Sequence, residues 1–141
     1  MSTKNIPPTG LFVERIGTRQ YAGANARGAS IEIGYEEGQW SPGELLKLAL
    51  LGCNVLSADS RLARSLGEDF EMGAGIDGSY NKDEDRYESL TVELVPEFGD
   101  ADEKTVADAI RWGLRGIERY CTVGHTLDHV VPHTTIITQE D

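Results

Sequence analysis

The sequence predicts an α+β domain in which an antiparallel sheet wraps on two helices. Three observations predict it. Segments 29–37 and 87–98 alternate apolar and polar residues, the period of a strand with one buried face. Segment 41–67 opens on a strong helix-start signal, and segment 99–120 carries an apolar stripe at helical spacing. In order, the elements read ββ–α–ββ–α–β, which suits an antiparallel sheet with helices against it.

Residues 1–10, with Pro7, Pro8 and Gly10, read as a flexible N-terminal arm ahead of a single domain over 11–141. "LFVERIG" (11–17) reads as a strand. "TRQYAGANARG" (18–28) reads as a hairpin turn with ragged strand ends. "ASIEIGYEE" (29–37) puts Ile31, Ile33 and Tyr35 on one parity. Ser41, Pro42 and Glu44 supply an N-cap, an N1 proline and the N3 member of a capping box. In the helix that follows, Leu45, Leu46, Leu48, Ala49, Leu50, Leu51, Val55 and Leu56 cover most of the circumference, so the helix is expected to be buried in a core or against another chain. Arg61 and Arg64 then alternate with Leu62 and Leu66, and Gly67 is placed to end the helix. "EDFEMGAGIDGSY" (68–80) and "YESLTVELVPEF" (87–98) read as strands around the polar turn 81–86. A helix from about Asp102 to Tyr120 aligns Val106, Ile110, Leu114 and Ile117. "CTVGHTL" (121–127) is a short helical turn, and "HVVPHTTIIT" (129–138) reads as a closing strand. No internal repeat or low-complexity segment is present.

The 141 residues are 39% hydrophobic and 26% charged, ordinary values for a globular protein. A net charge of −11 and a pI near 4.6 argue against nucleic acid and against anionic membrane surfaces, both of which select basic patches. No signal peptide is visible, and the run Leu45–Val55 contains Lys47 and is too short to span a bilayer. A cytoplasmic location is expected, with reduced thiols.

The two cysteines, Cys53 and Cys121, form no CxxC pair. A lone cysteine in an apolar helix is by composition a core residue, since free cysteine is among the most buried types. Cys121 opens a helical turn, where local amide dipoles favour a thiolate. Cys121, His125, His129 and His133 recur every four residues, which on one continuous helix would form a metal-ligand face; Gly124 and Pro132 interrupt it.

"SPGELLKLALLGC" followed by "ERYCTVGHTL" resembles the paired cysteine motifs of the OsmC/Ohr family of thiol-dependent peroxidases, over about residues 10–138. The resemblance implies an OsmC-like fold, an intertwined homodimer with the long cysteine helices at its centre, and an active site at the subunit interface. It implies that Cys53 is the peroxidatic and Cys121 the resolving cysteine, with no cofactor and no metal. A hydroperoxide is the substrate and a dithiol, such as a lipoylated protein, the reductant. The family places an arginine from the first hairpin beside the thiolate; Arg19 in "GTRQYAG" is the best match and Arg27 the second. It holds that arginine with an acid, for which Glu44 is the candidate. In the organic-hydroperoxide branch the acid lies ten positions before the cysteine, here Gly43, whereas Glu44 lies nine before, about 100° away around the helix. The second motif also departs, with Thr122 for the usual proline and Gly124 for the usual serine. Two alternatives stand beside this reading: a non-catalytic, stress-induced dimer of the same fold that binds an apolar small molecule, and a metal-binding module built on Cys121 and the histidines.

Overall fold

The computed structural model describes residues 10–139. The expected arm at 1–10 lies, but for Gly10, outside the described residues. The chain divides into two compact units, the first ending at Leu48 and the second beginning at Ala49.

The first unit holds a three-stranded antiparallel sheet, β1 (Phe12–Gly17), β2 (Gln20–Ala24) and β3 (Ser30–Ile33), in the order β1-β2-β3. A strand therefore stands where the sequence suggested one long turn. Its centre, Ala22-Gly23-Ala24, has weak strand propensity, but β2 is laddered on both sides, and pairing overrides propensity. The real turns are short. Thr18 and Arg19 join β1 to β2, with Arg19 in the left-handed region at φ 58°. Between β2 and β3 the Asn25 side chain accepts from the Arg27 and Ala29 amides at 2.9 and 3.0 Å. β3 stops at Ile33, short of the expected 37. Beyond it the chain folds back, with Gly34 N–H donating to Trp40 O at 3.0 Å and Trp40 N–H to Glu32 O at 2.9 Å. Tyr35 accordingly lies in a turn, 71% exposed, rather than on the inward parity of a strand.

Helix α1 (Pro42–Leu66) begins as its sequence dictates. Ser41 N–H donates to Glu44 Oε1 at 2.9 Å and Glu44 N–H to Ser41 Oγ at 3.2 Å, a complete capping box. It ends at Gly67, whose φ of 99° suits glycine and whose N–H reaches Ala63 O at 2.7 Å.

In the second unit α1 is followed by the hairpin β4 (Met72–Asn81) and β5 (Arg86–Pro96), then by α2 (Glu103–Tyr120) and α3 (Thr122–Leu127). Leu90, Val92 and Leu94 alternate inward as expected. Asp102 caps α2 by accepting from Thr105 N–H at 2.8 Å. The core is Ala58, Leu62 and Ala109, with Leu66, Phe70, Met72, Leu94, Phe98 and Ile117 against it.

Two expectations need correction. The buried face of α2 is Ala109, Gly113 and Gly116, not the stripe through Ile110 and Leu114, which are 47% and 61% exposed. Small residues bring the backbones together: a Cβ on Gly116 would lie 2.6 Å from Ser57 O of α1. The closing strand at 129–138 does not form. Residues 130–139 are irregular and pair with no strand among the described residues; Pro132 lacks an amide donor, and Ile136 and Ile137 are exposed. Within the single chain, α1 leaves Leu46, Leu48 and Leu56 exposed.

Candidate active site

Cys53 lies in the middle of α1, half-buried, and its fourth-following residue Ser57 stands one turn on along the same face. Cys121 lies in the sharp joint between α2 and α3. It ends α2 by donating its N–H to Ile117 O and begins α3 as N-cap, its sulfur accepting from Gly124 N–H at 3.3 Å. This joint turns the Cys121 side chain inward, where it is 2% exposed. The two thiols lie close enough to shift one another's ionisation, and both are free.

The surroundings drive the two thiols in opposite directions. The Val123 amide holds the Cys53 thiol below its ordinary value; burial opposes this, and the Cys121 thiol, the Ser57 hydroxyl and the Thr122 amide add to it. Burial pushes the Cys121 thiol up, and its neighbour Cys53 adds to the rise, against the Gly124 amide and the Asn54 side chain. Asn54 Nδ2 donates to Cys121 Sγ at 3.2 Å. The pair is thus polarised: Cys53 is the thiol suited to ionise first, and Cys121 the one held as a protonated neighbour.

Of the four residues expected at a site, the second unit brings together Cys53 and Cys121. Glu44 stands at the start of α1 as a capping residue, its carboxyl held below the usual range by its backbone hydrogen bond to Ser41. Arg19 stands in the β1–β2 turn with its guanidinium 5.7 Å from the Tyr35 ring. Arg27 stands in the β2–β3 turn. Asn54 and Ser57 escaped sequence reasoning. Their signal is positional: one adjoins Cys53 and the other lies one turn beyond it, inside an otherwise apolar run.

The histidines do not converge on Cys121. His125 Nε2 bonds Glu118 O at 2.7 Å, His129 Nδ1 bonds His125 O at 2.8 Å, and His133 Nδ1 bonds Val131 O at 3.0 Å. Among the described residues no group of three or more His, Cys, Asp or Glu is placed to hold a metal ion. Among them, too, no helix is long and apolar enough to cross a membrane.

No protein-family model matches the chain. It is 38% identical over 125 residues to uncharacterized proteins of Mycobacterium tuberculosis and Mycobacterium bovis, covering 84% of this chain and 88% of theirs. Among solved structures it resembles an OsmC-like protein of unknown function from Vibrio cholerae, with a TM-score of 0.58 and 16% identity over 77% of this chain and 79% of that one. It also resembles the organic hydroperoxide resistance protein OhrB of Bacillus subtilis, with a TM-score of 0.52 and 14% identity over 82% and 88%. The chain belongs to one family with these uncharacterized mycobacterial proteins, and its fold is that of the OsmC-like and Ohr structures.

Proposed function

We propose that this protein is a thiol-dependent peroxidase that reduces hydroperoxides through Cys53 and resolves the product with Cys121. The observation that carries the reading is the placing of two free thiols at one spot, where Asn54, next to Cys53, reaches Cys121 Sγ at 3.2 Å; the Val123 amide lowers the Cys53 thiol and burial raises that of Cys121. Cys53 thiolate attacks the terminal peroxide oxygen of ROOH. The O–O bond breaks, RO− leaves and takes up the proton that Cys53 released on ionising to become ROH, and Cys53 keeps the terminal OH as a sulfenic acid. Cys121 condenses with it, water departs, and a Cys53–Cys121 disulfide remains. An external dithiol returns two electrons and two protons, becoming a disulfide itself.

In this reading Arg19 supplies the cation that further stabilises the thiolate, and Glu44 holds that arginine. Both are assigned on the family resemblance. The working form is a homodimer, supported by the apolar side chains a single chain leaves exposed on α1 and α2, Leu46, Leu48, Leu56, Ile110 and Leu114. A peroxide-consumption assay with a dithiol reductant tests the reading. Wild-type protein should consume organic hydroperoxide, and Cys53→Ser should consume none while keeping its circular-dichroism spectrum. Equal consumption by both would overturn it.

The non-catalytic alternative draws support from a second place, an apolar hollow of about 470 Å³ in the first unit, lined by Leu11, Phe12, Val13, Ala24, Ile31 and Ile33. Its volume falls within the range of small-molecule sites. If wild-type protein consumes no peroxide yet takes up an apolar fluorophore that Ile31→Glu excludes, that alternative replaces the peroxidase.

A further inference from the structure

On the second unit, α1 and α2 present a stripe that departs from the acidic character of the chain. Arg111, Arg115 and Arg119 lie along α2, spanning about 12 Å at 1.5 Å per residue. Arg61 and Arg64 of α1 adjoin them. A hollow of about 350 Å³ separates the two helices here, lined by Arg61, Arg64, Ser65, Asp108 and Trp112. Two aromatic rings organise the arginines. The Arg111 and Arg115 guanidiniums stand 4.9 and 5.2 Å from the Trp112 ring. Those of Arg61 and Arg119 stand 5.7 and 5.4 Å from Tyr120.

A guanidinium stacked on a ring is held by its face, while its edge keeps the N–H fork that matches a carboxylate. Arg111 already uses Asp108, at 3.3 Å. Arg61, Arg64, Arg115 and Arg119 have no ion-pair partner among the described residues, although the chain carries 24 acidic residues against 13 basic ones. Pre-organised, unpaired arginines on an acidic protein call for an acid from outside. The stripe is short and its surroundings acidic, which suits a local run of carboxylates and disfavours an extended polyanion such as nucleic acid. Arg119 and Tyr120 immediately precede Cys121 in the chain, so the stripe ends beside the thiol pair.

We propose that this arginine–aromatic stripe is the docking surface for an acidic protein segment, the one that presents the dithiol reductant to the oxidised Cys53–Cys121 pair. Only the delivery of electrons rests on the peroxidase reading; the docking of an acidic segment stands on the stripe itself. In the redox step the partner's two thiols become a disulfide as the Cys53–Cys121 disulfide becomes two thiols.

The test uses a glutamate-rich peptide bearing a Cys-Gly-Pro-Cys dithiol, its glutamine-rich counterpart, and a redox-inert form with serines for cysteines. By fluorescence anisotropy, the inert glutamate-rich peptide should bind the wild-type protein at low ionic strength and weaken as salt is added. Arg115→Glu with Arg119→Glu should weaken it by about tenfold or more. Arg115→Gln with Arg119→Gln, the milder pair, should fall between, with an unchanged thermal melt. The glutamate-rich dithiol should reduce the disulfide faster than its glutamine counterpart. Charge reversal should erase that advantage while dithiothreitol reduces wild type and variant equally. If the disulfide never forms, the peroxidase reading fails, and the inert peptide still reads the docking surface. Three results would overturn the docking proposal: equal binding to wild type and both variants, an oligonucleotide binding in preference to the acidic peptide, or dissociation of a dimer on charge reversal, which would make the stripe a contact between copies.

Discussion

At Cys53 the chemistry turns on amide protons. The Val123 and Thr122 amides and the Ser57 hydroxyl lower its pKa, whereas Cys121, sealed at 2% exposure, is raised by burial. The sign of the pH dependence follows. A lowered pKa keeps Cys53 ionised to lower pH than an ordinary thiol near 8.5, and a raised one keeps Cys121 protonated above it. Iodoacetamide labelling followed by peptide mapping should therefore modify Cys53 first at pH 7, with Cys121 gaining only in the alkaline range. Equal rates at pH 7 would show that the pair is not polarised. Gly124 belongs to the same geometry. A Cβ there would lie 3.2 Å from Cys121 Sγ, so the residue that replaces the family's usual serine gives the sulfur room. The sequence showed both cysteines and the turn that carries Cys121. It did not show Asn54 or Ser57 as partners, because their roles arise only when α3 folds back on α1.

At the scale of elements, the contact between α1 and α2 depends on glycine. Alanine at Gly116 would put a Cβ 2.6 Å from a backbone oxygen, Ser57 O, which cannot rotate away. Overpacking of that kind costs about 1–3 kcal/mol, against about 1 kcal/mol gained in helix propensity. At Gly113 the nearest atom is Leu62 Cδ2 at 3.1 Å, the end of a side chain rather than backbone, and a shift of a few tenths of an ångström relieves it. Gly116→Ala should therefore lower the Tm, while Gly113→Ala should leave stability within about 0.5 kcal/mol of wild type; calorimetry on the two variants checks this, and the reverse order would refute the packing. Local chemistry made many boundaries legible: the Ser41–Glu44 box, Gly67, and the polar turn between β4 and β5. The buried face of α2 was not, because a face of Ala109, Gly113 and Gly116 carries almost no hydropathy signal beside Ile110 and Leu114. The strand expected at 129–138 has the right composition, but composition supplies no partner edge.

At the scale of the whole molecule, the proposed homodimer would cover exposed apolar side chains of α1 and α2 and of the irregular segment 130–139, where Val130 and Ile137 are over 90% exposed. Light scattering at micromolar concentration should give twice the 15.4 kDa chain mass. A mass of one chain would remove the proposed dimer. The central claim, that Cys53 and Cys121 work as one redox pair, is tested most directly by intact mass after one equivalent of hydroperoxide, with a thiol blocker added afterwards. The account predicts a loss of two hydrogens with no blocker incorporated, and in Cys121→Ser a gain of oxygen on Cys53. An unchanged chain that takes up blocker at both cysteines would contradict it.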